Sequence, residues 1–379
     1  MSYSWGNDTS ASWGNSSNSN SEGGGFSYAS AKAKYDTDKG YACGCTGSCS
    51  CGSKKSKLSQ NMDQAYKMST RILNNILEPS EKDLISRLTE TDLLVVPGQY
   101  DSVEKVLAAS GRPYRMNTNY VELDPKQIVM FNCPGGNHRL RYKGKTGTDA
   151  LRNFTEDGGF VITTDWALSE VVMKAFPGYI ERGKRNTGND LVEVDLVASA
   201  SPYTRGLGNG SLKPIWWLEG SSYPIHLLRN ENVDILLGSE EMKSKYLDMP
   251  IAVKFPVGEG RVVHVTSHFY LQTTKSKYAA QQHKTGLDFA TKFLGMTESE
   301  ANQIGNLEST SFGALESAYT STRFLHNIFL EKLRRENQKS FTAQQKQLKA
   351  TFSLEQLAAS PAMSVRALPN SKKSTKLIP

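Results

Sequence analysis

Five cysteines and six histidines are the residues with which this chain could do chemistry. Four of the cysteines, Cys43, Cys45, Cys49 and Cys51, crowd into the run YACGCTGSCSCGSKK. Thiolates are soft ligands, so such a cluster could wrap Zn²⁺ or Cu(I). Its C-x-C-x3-C-x-C spacing departs from the C-x2–4-C of a zinc knuckle, and no apolar residues flank it to build one. Low-complexity sequence and lipid attachment beside the lysines are the other readings. The fifth cysteine, Cys133, could act as a nucleophile with His268 or His138 as base and Asp165 to orient the base. His264 and His268 stand four apart, which on one strand puts both on the same side. There they could hold a metal with a neighbouring carboxylate, or be hydrogen-bonded core residues. The run PGGNHRLRYKGKTGTD offers flexible backbone N–H groups with His138, Arg139, Arg141, Lys143 and Lys145 ahead of a helix start, a pattern that could capture an anion. It is not a phosphate loop, since only Gly144-Lys145-Thr146 matches the end of that motif, and a solvated basic hairpin is the plainer reading.

These residues need elements to bring them together. DLLVVPGQY (92–100), QIVMFNCPGGN (127–137) and FVITTDW (160–166) are apolar runs that end in turn residues, each followed by a helical pattern. Further strands are expected at VEVDLVAS, PIWWL, VDILLG, PIAVKFPV and RVVHVTSHFYL, the last two joined by a hairpin at Gly258-Glu259-Gly260. Apolar strands alternating with helices predict an α/β fold, a mostly parallel sheet with helices on both faces and a closing antiparallel hairpin. In such sheets ligands bind at the carboxyl ends of the strands. Those ends deliver Gln99, then Asn132, Cys133, Gly135, Gly136, Asn137 and His138, then Asp165 and Trp166, and last His268. Together they would form a polar crevice with one aromatic wall, the usual build of a small-ligand site. Asp165 could serve there as a carboxylate, or be an N-cap for the helix that follows it.

Residues 1–57 are mostly Ser, Gly, Asn, Lys and Cys and are expected to be disordered. An α/β domain is expected at 58–295, a helical extension at 296–350, and a basic disordered tail at 351–379. The net charge of +7 does not describe the fold. Residues 1–57 hold six basic and four acidic residues and 331–379 hold ten and three, which leaves 29 and 31 for the middle. A basic excess confined to the ends is not the footprint of a nucleic-acid reader, so no specific nucleic acid is expected. Neither a membrane span nor a secretory leader is visible, and a cytoplasmic protein is expected.

The order DLLVVPG, IVMFNCPGGN, helix, GGFVITTDW and PIAVKFPVGEGRVVHVTSH resembles the class I glutamine amidotransferase-like fold, most of all its divergent ThuA-like branches. The likeness covers roughly residues 90–275 and implies a flavodoxin-like arrangement. It places Cys133 at the nucleophile elbow of that family. The elbow pattern G-x-C-x-G is here Phe131-Asn132-Cys133-Pro134-Gly135, and Pro134 has no N–H to offer an oxyanion. No H-x-E follows either His264 or His268. The resemblance therefore implies a non-catalytic, ligand-binding or scaffold member, a pseudoenzyme, with a Cys133 hydrolase or amidase and metal handling at the N-terminal thiols as alternatives. Proteins resembling this core are sometimes encoded beside MoxR-type ATPases and von Willebrand A-domain proteins, which implies a protein partner of that kind.

Overall fold

Leu93–Val96 (β1), Ile128–Phe131 (β3) and Phe160–Thr164 (β4) are buried along their whole length, as strands covered on both faces must be. In the computed structural model, which describes residues 57–208, 213–270 and 272–359, they form the centre of a seven-stranded sheet. Arg115–Met116 (β2), Asp234–Gly238 (β5), Pro250–Val257 (β6) and Gly260–Val265 (β7) complete it, in the order β5-β6-β7-β4-β3-β1-β2. The five strands from β7 to β2 are mutually parallel. β6 and β5 are antiparallel to their neighbours. The expected α/β architecture is thus present, with the hairpin one strand in from the edge because β5 lies outside it.

Alternate residues of each strand serve different layers. Leu93, Val95, Ile128, Met130, Phe160 and Ile162 face one core. There they meet Lys57–Ile76 (α1), Pro79–Ser86 (α2), Val103–Ala109 (α3) and the helix Phe312–Ala359. Leu94, Val96, Val129, Phe131 and Val161 face the other, against Gly147–Glu156 (α4) and a π-helical turn, Leu168–Val172. Two short antiparallel pairs, 190–193 with 215–218 and 180–182 with 225–227, stand outside the sheet. VEVDLVAS and PIWWL were expected as strands, and they pair with each other rather than joining the main sheet.

Between these lie Glu240–Tyr246 (α5), capped by Ser239, and Glu298–Ile304 (α6), closed by a Thr297–Glu300 capping box. Phe312–Ala359 (α7) has 48 residues, so it runs about 70 Å. Its first half belongs to the core: Leu315, Tyr319, Phe324, Leu325, Ile328 and Phe329 are at most 1% exposed. Lys332 ends that half with its ammonium buried, donating to the Pro125 carbonyl (2.6 Å), the Gly158 carbonyl (2.8 Å) and Glu336 (2.9 Å). Those carbonyls lie just ahead of β3 and β4, so the helix is tied to the amino ends of the central strands. Among the described residues no helix is long and apolar enough to cross a membrane.

Candidate functional site

β3, β4 and β7 are adjacent and parallel, so their carboxyl ends open on one rim. Two residues past β3 stands Cys133, one residue past β4 stands Asp165, and three past β7 stands His268. Their Sγ, carboxylate and ring nitrogen atoms all lie within 4.8 Å of one another. All three are buried, with Cys133 0% exposed and Asp165 and His268 3% each.

Asp165 is held in a backbone conformation that side chains resist, with φ at +45°. Such strain costs of order 1–3 kcal/mol and persists only where the surroundings over-determine it. Here they do. Its N–H donates to the Val265 carbonyl (2.8 Å), its Oδ1 accepts from the Tyr223 N–H (2.9 Å), and its Oδ2 accepts from the Ser222 hydroxyl (2.9 Å). The Cys133 thiol approaches the same Oδ2 at 3.6 Å. The carboxylate therefore faces the rim and caps no helix.

His268 lies between two carboxylates. Its Nδ1 is 3.1 Å from Glu219 Oε2 and its Nε2 is 3.4 Å from Asp165 Oδ2. The second approach does not close as a hydrogen bond, and the buried Nε2 has no hydrogen-bond partner. The segment around it is tethered on several sides. The His268 carbonyl accepts from Gln272, and Asp101 accepts from the Phe269 and Tyr270 N–H groups. Tyr66 and Ser321 both donate to the Phe269 carbonyl. Asp101 also accepts from the Ser102 N–H, so it braces this segment instead of forming the capping box its spacing with Glu104 suggests.

Burial alone would lower the His268 pKa, but Asp165, Cys133 and Glu219 together hold it well above the ordinary imidazole value. Burial pushes the Cys133 thiol up to about 11, against the pull of His268. A nucleophile needs a thiolate. Burial thus disfavours the thiolate that the expected cysteine-dependent hydrolase or amidase would use.

The remaining expected rim residues divide. Gln99 is exposed, and its N–H and that of Tyr100 both donate to the Cys133 carbonyl at 2.8 Å. Asn132 is buried and structural: its Oδ1 accepts from the Val103 N–H and its amide donates to Glu104. Gly98 and Gly135 let these loops close, since a Cβ on Gly98 would stand 2.5 Å from the Cys133 carbonyl and one on Gly135 2.9 Å from the Asn132 carbonyl. Gly136 packs on the His138 ring, Asn137 binds Thr148, and His138 is exposed, all on the loop leading to α4. His138 is therefore not the partner of Cys133. The basic side chains of that loop are engaged separately, Arg139 with the Thr118 carbonyl, Arg141 on the Tyr120 ring and Lys143 with Asp157. Trp166 is half-buried at the rim, donating its indole N–H to the Ser221 carbonyl, with Tyr100 against its edge and Tyr223 stacked on it. His264 does not share the site: it is fully buried in β7, where Nδ1 meets the Thr163 hydroxyl at 2.8 Å. Cys43, Cys45, Cys49 and Cys51 lie outside the described residues. A cavity of about 440 Å³ opens elsewhere, beside β5, lined by Val197, Ser201, Ile235 and Lys254 among others.

Glu219, Ser222 and Tyr223 belong to the site and were not expected there. They come from the loop after the outlying strand 215–218, and their signal is the run LEGSSYP directly after a buried PIWW.

No family model matches the chain, and no curated protein matches it. Among solved structures it is similar to the exo-β-1,4-mannosidase Op5Man5 from Opitutaceae bacterium strain TAV5, at 10% identity over 48% of this chain and 31% of that one, with a TM-score of 0.32. The cold-adapted β-galactosidase from Rahnella sp. R3 is 12% identical over 48% of this chain and 29% of its own, with a TM-score of 0.28. For the β-galactosidase from Bacillus circulans sp. alkalophilus the values are 15%, 41%, 22% and 0.26. The chain spans less than a third of the length of each. Likeness of this size carries no argument about the chain's own activity. No amidotransferase family model matches the chain, so the expected membership of the amidotransferase-like, ThuA-like family is corrected, and with it the reading as a non-catalytic scaffold or pseudoenzyme of that family.

Proposed function

We infer that this is a flavodoxin-like protein that works on a small polar ligand at the strand-end cluster of Cys133, Asp165, His268 and Glu219. Counted along the chain, its parallel strands run in the order 2-1-3-4-5, which is that of flavodoxin-like sheets, with the switch point between β1 and β3. The cluster stands beside that switch point. His268 would carry the proton, Asp165 and Glu219 would set its charge, and Tyr100, Trp166 and Tyr223 would form the wall. The observation that carries the reading is Asp165, a non-glycine residue held at positive φ with its carboxylate aimed at a buried histidine. An unpaired buried thiol at Cys133 suits the reducing conditions of a cytoplasmic protein.

The Trp166 indole N–H is a reporter at the rim. Small amides, carboxylates, amines and monosaccharides are added to the labelled full chain, and its NMR resonance is followed. A member of the panel that moves the Trp166 signal, and no longer does so in Asp165→Asn, supports the reading. If the whole panel leaves Trp166 unmoved and Asp165→Asn costs more than about 2 kcal/mol of stability, the cluster is a structural brace and the inference fails.

A further inference from the structure

We propose that Cys133, Asp165 and His268 form a mononuclear site for a divalent transition metal of the zinc type, with Glu219 as the group that positions His268. The proposal rests on the functional reading of the same cluster and names what occupies it. Three kinds of observation carry it.

The first is metric. A tetrahedral zinc ion, with bonds of roughly 2.3 Å to sulfur and roughly 2.0 Å to nitrogen and oxygen, places its S and O ligand atoms roughly 3.5 Å apart and its N and O ligand atoms roughly 3.3 Å apart. Cys133 Sγ stands 3.6 Å from Asp165 Oδ2, and His268 Nε2 stands 3.4 Å from the same oxygen. Two edges of such a tetrahedron are thus already at their spacing, and the thiol and imidazole ligand atoms lie within 4.8 Å of each other.

The second is the direction of His268. Its Nε2 is buried, lies 3.4 Å from Asp165 Oδ2 beside the Cys133 thiol, and makes no hydrogen bond. A buried ring nitrogen left without a partner needs an explanation. If the cluster were only an ion pair, the N–H would be expected to lie on the line to Asp165 Oδ2. A lone pair directed at a metal between the two acidic groups needs no such alignment.

The third is the outer shell. Metal-binding histidines commonly give their other ring N–H to a carboxylate, which fixes tautomer and orientation. Glu219 stands 3.1 Å from His268 Nδ1 in that role. Asp165 is likewise fixed by the Ser222 hydroxyl and the Tyr223 N–H. The ligands come from just past the ends of three adjacent parallel strands. Thiolate, imidazole and carboxylate together suit zinc-type ions and not Mg²⁺ or Ca²⁺, which favour all-oxygen sets. Three protein ligands leave a fourth position, as catalytic zinc sites do. Binding would expel the thiol proton of Cys133, and any proton on His268 Nε2, to solvent; the Nδ1 proton stays directed at Glu219, and the thiolate with Asp165 neutralises the ion's double charge.

The test uses the full chain with Cys43, Cys45, Cys49 and Cys51 all changed to serine, so that the N-terminal thiols cannot bind the probe. Co²⁺ is titrated in, and Zn²⁺ is then used to displace it. One equivalent of Co²⁺ is expected, with the absorption of a tetrahedral ion and a sulfur-to-cobalt charge-transfer band. Cys133→Ser should abolish that band, and Glu219→Gln should weaken Zn²⁺ binding by about 10- to 100-fold while keeping the tetrahedral spectrum. Circular dichroism of each variant shows that it is folded, and His268→Gln stands in for Cys133→Ser should the latter not fold. The proposal is overturned if the folded serine-substituted chain binds no Co²⁺, or if the spectrum survives both Cys133→Ser and His268→Gln. If cobalt fails to bind while an organic probe still moves the Trp166 signal, only the metal is refuted. If neither binds, the functional reading falls as well.

Discussion

Glu316 should make this protein more stable when it is replaced by glutamine, and the gain should depend steeply on pH. The carboxyl lies on α7 within the core, 2% exposed, and burial pushes its pKa up to about 8, against the pull of the Ile215 N–H, from an ordinary value of 4.5. A raised carboxyl pKa contributes stability below the unfolded value, and that contribution is lost as pH rises through the folded one. Between pH 4.5 and 8 the unfolded chain ionises at this position and the folded chain does not. At pH 7.5 the accumulated loss is about 4 kcal/mol, and at pH 5 about 1 kcal/mol. Glutamine mimics the protonated side chain and removes the loss. Glu316→Gln should therefore stabilise by about 4 kcal/mol at pH 7.5 and by about 1 kcal/mol at pH 5.

Burial lowers the pKa of His264 and His326 to about 3, and their effect has the opposite sign. Their stability is fully present above about pH 6.5 and is lost as pH falls towards 3, about 2 kcal/mol each by pH 5. For these three groups the wild-type curve then changes by only about 1 kcal/mol between pH 7.5 and 5, because the acid-side loss at the histidines, about 4 kcal/mol, largely offsets the gain of about 3 kcal/mol at Glu316. The variant should show the histidine loss openly. Urea unfolding followed by tryptophan fluorescence at pH 5, 6.25 and 7.5 measures both curves, and contributions common to both chains cancel in the difference. Parallel curves, or a variant less stable than wild type at pH 7.5, refute the argument.

Lys332→Met should cost about 2–4 kcal/mol in the same unfolding experiment, because it leaves the Pro125 and Gly158 carbonyls without their donor; a loss under about 0.5 kcal/mol would mean that the ammonium is not buried as described. Gly98→Ala puts a Cβ 2.5 Å from the Cys133 carbonyl, a clash with backbone that no rotamer relieves. It should cost more than about 3 kcal/mol and shift the Trp166 indole resonance, and an unperturbed resonance would show that the β1 and β3 loops do not meet as they do here.

The central strands are legible in the sequence because their burial is local and complete. LLVV, IVMF and FVITT are unbroken apolar runs, each ended by turn residues, and their alternate residues serve the two cores without further information. The pairing of the outlying strands is not legible. VEVDLVAS and PIWWL have the same apolar character as the sheet strands, and nothing in their composition tells that they leave the sheet to pair with each other. The weight of α7 was also hidden. Its apolar positions from Phe312 to Leu333 mark a helix, but only packing against α1 and the sheet shows that this half belongs to the core.

The site divides along the same line. Cys133, Asp165 and His268 follow from one rule, that the residues after buried parallel strands share a rim, and the structure brings all three together. The amidotransferase-like resemblance obscures them, because in a family with a cysteine nucleophile Pro134 and the missing H-x-E are defects. Read by coordination chemistry the same residues lack nothing, since a metal-bound thiolate needs no oxyanion hole and no downstream acid. Glu219 is not legible in the sequence, because its strand is outside the sheet and the strand-end rule does not reach it. Its role depends on a contact between residues 219 and 268, which no local pattern encodes. Asp165 was ambiguous for a different reason. A carboxylate at the start of a helix serves as a cap in ordinary backbone geometry, and only the observed φ of +45° turns it to the histidine. The feature that separates a cap from a ligand here is a single backbone torsion, fixed by Val265, Ser222 and Tyr223 from two distant parts of the chain.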